Sequence, residues 1–323
     1  MNFQKSLLSA VLALVLGGVL TMVVSSGTVL SLLTQAIIYA VFALGVGVLL
    51  KQNGMVSFGH ALFFGGASYL VGIVLQLQLM SAELAILAAL AVVTLAAFLI
   101  GLVIVRVPGV AFGMLTLAIG QMFFLTASRA RGLTGGADGM NIDWPSRLFG
   151  FPLSQMLKPA SMFLICWSTL VVVMFLLAWL MRTRFGGITE AVRDNEERAR
   201  FIGITTLWPR AAVYALSALV TSVAGVLSAL NTGFVSPESL HWSLSGVALM
   251  MVVVGGFKAL WGPAAGAVVY FLFKDILGEH ATHWMTIFGV ALITVIVFSP
   301  TGVAGLFDRW VLGKKPSVKV GGH

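Results

Sequence analysis

Charge is what this sequence has least of. Asp, Glu, Lys and Arg make up 9% of its 323 residues, against about 25% in soluble domains. Hydrophobic residues make up 59%, more apolar area than one water-facing fold can hide. Cysteine is reduced to one, Cys166, inside an apolar run. A single cysteine excludes an internal disulfide, and its expected role is packing. There is no GxxxxGK[ST] loop for a nucleotide, no HExxH and no Cys/His cluster with metal-ligand spacing. The serines of GFVSPES (233–239) have no GxSxG elbow around them. The sequence therefore shows no catalytic centre, no resident metal and no nucleotide site of its own.

What is present is a succession of apolar runs, with a mean hydropathy of +1.04. A helix needs about 20 apolar residues to cross a bilayer. Runs bounded by charge, Gly or Pro predict ten spans, near 6–24, 29–50, 55–77, 84–105, 109–128, 159–181, 211–231, 243–257, 261–277 and 285–303. The expected class is an all-α, polytopic transmembrane bundle forming one domain over 1–323. The eighth and ninth runs are short, so one of them is a candidate re-entrant or broken segment. The first run, of about 19 residues, exceeds a signal-peptide h-region of about 7–15 and is read as a retained helix. With the N-terminus inside, fourteen Lys and Arg fall in inside segments and four outside, with Lys274 inside a span, which accounts for all 19. This bias predicts an N-in, C-in chain with a basic cytoplasmic tail at 308–323. The net charge of +8 then marks cytoplasmic loops and lipid headgroups rather than nucleic acid.

Ionisable groups are nearly absent from the predicted spans, unlike those of a proton-coupled carrier. Lys274 and Asp275 are sequence neighbours and point about 100° apart on a helix, so they do not simply pair. Lys274 is read as snorkelling. Ser57, His60, Thr116 and Gln121 are polar groups in apolar surroundings and are the expected interior-facing residues of a translocation path. A lone His such as His60 also suits a hydrogen-bonded packing role.

The exception to the charge scarcity is 182–210, RTRFGGITEAVRDNEERARFIGITTLWPR. It holds six of the 19 basic and four of the 11 acidic residues. Within it, 189–202 reads as a short helix with Gly186 and Gly187 at its start and Gly203 as a C-terminal cap. Ile188, Ala191, Val192, Asn195, Ala199 and Ile202 recur on one face. Asp194 with Arg198 and Glu196 with Arg200 are spaced as i,i+4 pairs. A helix this short is marginal alone in water. Its apolar face predicts either a docking partner or adhesion to the bilayer and the chain's own bundle. The opposite long loop, 129–158, is predicted to face outward.

Five stretches in order resemble permease subunits of branched-chain amino acid ABC importers, with the longer, M-type subunit the nearer match. They are NGMVSFGHALFFGGASYLVG (53–72), RGLTGGADGM (131–140), EAVRDNEERARFIGI (190–204), GFVSPES (233–239) and VVVGGFKALWGPAAGA (252–267). Lys258 departs from a position that is often Gly in the family. The resemblance implies a type II ABC importer-like permease in a bacterial inner membrane. It also implies that Glu190, Ala191, Arg193, Glu197, Arg198, Ala199 and Gly203 couple the chain to an ATPase. The implied partners are a second permease subunit, two ATP-binding cassette subunits carrying ATP and Mg, a periplasmic binding protein on the outer loops, and membrane lipid. The implied cargo is a branched-chain amino acid, or urea or a short amide carried by related permeases. A secondary carrier of small polar solutes is the rival reading.

Overall fold

The computed structural model describes residues 3–24, 26–107 and 109–278, together with 286, 289–290, 293–294 and 302–305. The tenth expected span lies largely outside the described residues, and the 308–323 tail lies wholly outside them.

The other nine expected runs are helical, and four short helices join them. In chain order they are α1 (Phe3–Val23), α2 (Gly27–Asn53), α3 (His60–Gln76), α4 (Ala82–Ile104), α5 (Val110–Arg129), α6 (Arg131–Thr134), α7 (Leu153–Met156), α8 (Pro159–Leu180), α9 (Arg184–Asp194), α10 (Glu196–Phe201), α11 (Leu207–Thr232), α12 (Trp242–Gly255) and α13 (Gly262–Gly278). Among the described residues α2, α4, α5, α8 and α11 are long and apolar enough to cross a membrane, while α1, α3 and α12 are apolar but offer shorter runs. The 14 residues of α12 extend only about 21 Å, so this element is indeed short.

The bundle is organised around α2 and α11. They pack on each other, α11 adds α3 and α4, and α2 adds α8, α12 and α13. Both are buried along most of their length, whereas α4, α5 and α8 leave much of their apolar surface outward, as lipid-facing helices do. Small residues permit the close approaches. A side chain at Gly225 would run into the Phe64 backbone, and one at Gly59 into the Thr116 carbonyl. The α12–α13 contact is built the same way, with Gly255 and Gly266 meeting backbone to backbone, as the Gly262-xxx-Gly266 spacing suggests. Cys166 is fully buried on α8, in keeping with a packing role.

One expected span is corrected. The third run does not begin as helix at 55, because α3 starts at His60 and residues 54–59 are irregular. Such backbone is tolerated at membrane depth only where protein covers it. Here Ser57 is fully buried and Met55 nearly so. The Phe58 N–H donates to the Thr116 hydroxyl at 3.2 Å, and the Gly59 N–H to Ser57 Oγ at 3.2 Å.

The 129–158 loop, expected to face outward, lies against the turn that follows α11. Strand β1 (Met140–Asn141) pairs antiparallel with β4 (Phe234–Val235), and the Ile142 N–H donates to the Gly233 carbonyl at 2.9 Å. A second hairpin, β2 (Arg147–Leu148) with β3 (Phe151–Pro152), folds the rest of the 129–158 loop. This surface adjoins the C-terminal end of α11. The α9–α10 element adjoins the N-terminal end of the same helix, which at 26 residues separates them by about 39 Å.

Candidate functional site

The charged loop is two helices rather than one. Asn195, in extended backbone at φ −158°, ends α9 and caps α10, its side-chain oxygen accepting from the Arg198 N–H at 2.8 Å. Asn favours this capping role over a helix interior. Gly186 and Gly187 lie inside α9 instead of marking its start. The break also prevents the Asp194–Arg198 pair. Asp194 turns to Arg193 at 2.6 Å, while Glu196 and Arg200 do pair, at 2.5 Å. Gly203 closes α10 as expected. At φ 83° it lets its own N–H donate to the Arg200 carbonyl and the Ile204 N–H to the Ala199 carbonyl, a Schellman arrangement.

The apolar stripe divides between two directions. Val192 and Ala199 are 2% exposed and pack inward, so Ala199 serves the chain's own packing and offers no side chain to a partner. Ile188 is 37%, Ile202 71% and Phe201 89% exposed. Ala191, Glu190, Glu197, Arg198 and Gly203 are exposed as well. Apolar groups presented this freely on a charged element mark a contact surface.

The inward side of the element is clamped to the two central helices. The Arg193 guanidinium donates to the Lys51 carbonyl at 2.5 Å, at the C-terminal end of α2 where a cation meets the negative end of the helix dipole. The Thr189 hydroxyl reaches Gln52 Oε1 at 2.7 Å, a buried contact. Asn53 Nδ2 donates to the Arg210 carbonyl at 3.0 Å, tying α2 to α11. On the other flank Glu196 accepts from Arg210 at 2.7 Å and from the Thr206 hydroxyl at 2.9 Å. Burial alone would raise the Glu196 carboxyl. Thr206, Arg210 and Arg200 outweigh it and hold the carboxyl below its ordinary range. Glu196, Thr189 and Gln52 were missed as site residues. The sequence signal was slight: a Gln-Asn pair closing an apolar run, and one Thr three residues before Val192.

Three of the expected path residues face the interior of the bundle, where each is hydrogen-bonded. Ser57, His60 and Thr116 are fully or almost fully buried. Ser217 Oγ donates to the Gly45 carbonyl at 2.7 Å, so its contact of 2.6 Å with His60 Nε2 must be a donation from the imidazole. His60 Nδ1 then has no partner among the described residues. Phe63 and Tyr214 stand edge-on to the ring. Thr116 Oγ1 donates to the Gly113 carbonyl at 2.8 Å. These three residues seal the irregular 54–59 stretch into the bundle. Gln121, on α5, is half-buried, and its Oε1 has no partner among the described residues.

A cavity of about 620 Å³ lies instead at the far end of α11. Tyr39 of α2, Phe64 of α3 and Phe124 of α5 form its apolar wall, and Ser228, Glu238 and His241 are among its polar groups. Glu238 is the single acid between Glu197 and Asp275, the signal that could have drawn attention to it.

The comparisons agree with this architecture. A family model described as branched-chain amino acid transport system / permease component matches residues 28–298. The chain is 24% identical over 319 residues to the high-affinity branched-chain amino acid transport system permease protein LivM of Escherichia coli K12, covering 93% of this chain and 75% of that protein. It is 30% identical over 307 residues to the autoinducer 2 import system permease protein LsrC of Escherichia coli K12 / DH10B, covering 91% and 85%. No solved structure matches. These relatives are transport permeases rather than enzymes, and with most of its length matched, this multi-pass chain belongs to the family of permease components of branched-chain amino acid transport systems.

Proposed function

We propose that the chain is the membrane-spanning subunit of an ATP-binding cassette importer in a bacterial inner membrane, with ten spans and both termini cytoplasmic. In this reading a second permease subunit completes the membrane unit. Two ATPase subunits, carrying ATP and Mg, dock on α9–α10, and a periplasmic binding protein delivers solute to the β1–β4 surface. The favoured cargo is a branched-chain amino acid or a related small amino acid or amide.

The observation that carries this reading is the α9–α10 element. It presents Ile188, Ala191, Phe201 and Ile202 outward while Arg193, Thr189 and Glu196 fasten it to α2 and α11. A docked ATPase that moves this element therefore pulls on the two helices at the centre of the bundle. The chain shows no P-loop of its own, and in this reading ATP is hydrolysed by the partner subunits.

The test is to express the chain with its ATPases, second permease and binding protein and follow uptake of leucine, isoleucine, valine, urea and short amides. Uptake should need ATP and the binding protein, and crosslinkers at 191 and 201 should reach the ATPase. Uptake by this chain alone on an ion gradient would show a secondary carrier instead.

A further inference from the structure

Among the described residues, the cavity at the end of α11 has an uneven chemistry. Its wall is apolar on one side, with Tyr39, Phe64, Phe124, Leu244 and Val247, and polar on the other. The polar side carries one carboxylate, Glu238, and no Lys or Arg. Glu238 is exposed and takes part in none of the ion pairs formed among the described residues. Several lining hydroxyls are already committed: Ser68 to the Phe64 and Gly225 carbonyls, Thr232 to the Ser228 carbonyl, Ser239 to the Ser236 carbonyl, and Ser243 to His241 Nδ1. The hydroxyls of Ser228 and Ser236 make no such bond among the described residues.

The geometry points to a transit site for a small solute with an ammonium group and an apolar tail, Glu238 taking the ammonium and the Tyr39–Phe64–Phe124 wall taking the tail. A lone carboxylate without a neighbouring cation attracts a positive group and repels an anion. The free Ser228 and Ser236 hydroxyls supply neutral partners for the remaining polar atoms of the solute. The volume is within the ordinary range for small-molecule pockets, about 300–1,000 Å³, and exceeds what one short amino acid fills. A place that must release its occupant is expected to hold it only weakly. This inference rests on the reading of the chain as a permease and adds the charge selectivity of the outer cavity.

The test uses right-side-out vesicles holding the complete system, with Thr232→Cys, an exposed lining residue given no part in holding the solute, as a reporter for a small, membrane-impermeant thiol reagent. Cys166 is fully buried and does not report. Three probes share one tail: leucine, isopentylamine and isocaproate. Leucine and isopentylamine at millimolar concentration should slow labelling several-fold, isocaproate should not, and Glu238→Gln should abolish protection by the amine. Equal protection by isocaproate, protection that survives Glu238→Gln, or no protection by any probe would overturn the inference. So would a Glu238→Gln variant that loses capture of the binding protein while protection persists, because Glu238 would then belong to a protein-docking surface. ATP-dependent uptake by the wild-type vesicles is read separately. Its absence would remove the importer reading without touching the protection result.

Discussion

Glu196 is a single residue whose ionisation holds two elements together. It joins α10 to the start of α11 through Arg210 and Thr206, and its carboxyl is held below the ordinary value in the folded chain. A lowered carboxyl contributes stability that is complete above the unfolded value and lost as pH falls through the folded one. Exchange protection of amides over 196–206 should therefore hold at neutral pH and fall on acidification below the usual carboxylate range. Glu196→Gln should show weak protection at every pH, with a loss of about 1 kcal/mol at neutral pH, the upper end for a partly exposed pair. A wild-type segment indifferent to acid would refute this. Phe201 is the opposite kind of residue, 89% exposed. A buried aromatic anchor contributes about 2 kcal/mol or more at an interface, more than tenfold in affinity. Phe201→Asp should thus weaken ATPase docking by at least that factor and leave insertion and melting of the isolated permease unchanged. Normal ATPase assembly in that variant would remove Phe201 from the contact.

Among the elements, α2 is the one through which, in the proposed reading, a push on α9 would reach the core. Its last turn offers the Lys51 carbonyl to Arg193, Gln52 to Thr189 and Asn53 to the Arg210 carbonyl. Thr189→Val would leave the buried Gln52 oxygen unpaired, at about 1–3 kcal/mol. Arg193→Ala would free the α2 terminus. The double variant should still bind ATPase and hydrolyse ATP while uptake falls several-fold, an uncoupled complex read from the ratio of the two rates. Loss of both activities together would mean misfolding, and an unchanged ratio would deny the link. The long elements were legible in the sequence because lipid leaves a run of apolar residues wherever a helix crosses it. Gly203 was legible too, since few other residues tolerate φ 83°. The break at Asn195 was not, because the i, i+4 pattern runs through it and only the cap reveals the turn. A packing role suited His60 from the sequence, but the bonding partners of Ser57, His60 and Thr116 were hidden. A polar residue in an apolar run looks the same whichever neighbour it bonds, and Ser217, the partner of His60, is 157 positions away.

At the scale of the whole molecule, the bundle has two candidate functional ends, and the orientation of the chain would assign each to a side of the membrane. The α9–α10 element and the joined 129–158 and 232–242 segments sit at opposite ends of α11, so one measurement orients both. Basic residues favour the α9–α10 end as cytoplasmic, because Arg182, Arg184, Arg193, Arg198, Arg200 and Arg210 all belong to that loop and positive charge is retained inside. The apolar Phe201 and Ile202 would then meet an ATPase, and the Glu238 cavity would open toward solute arriving from outside. Single cysteines make the assignment direct, since the native Cys166 is buried. Asn141 and Arg198 are both exposed. In intact spheroplasts Asn141→Cys should react with an impermeant maleimide, whereas Arg198→Cys and a cysteine appended to either terminus should react only after permeabilisation. Outside labelling of Arg198→Cys would invert the molecule, placing the charged element where no ATPase can reach it and removing the physical basis for coupling.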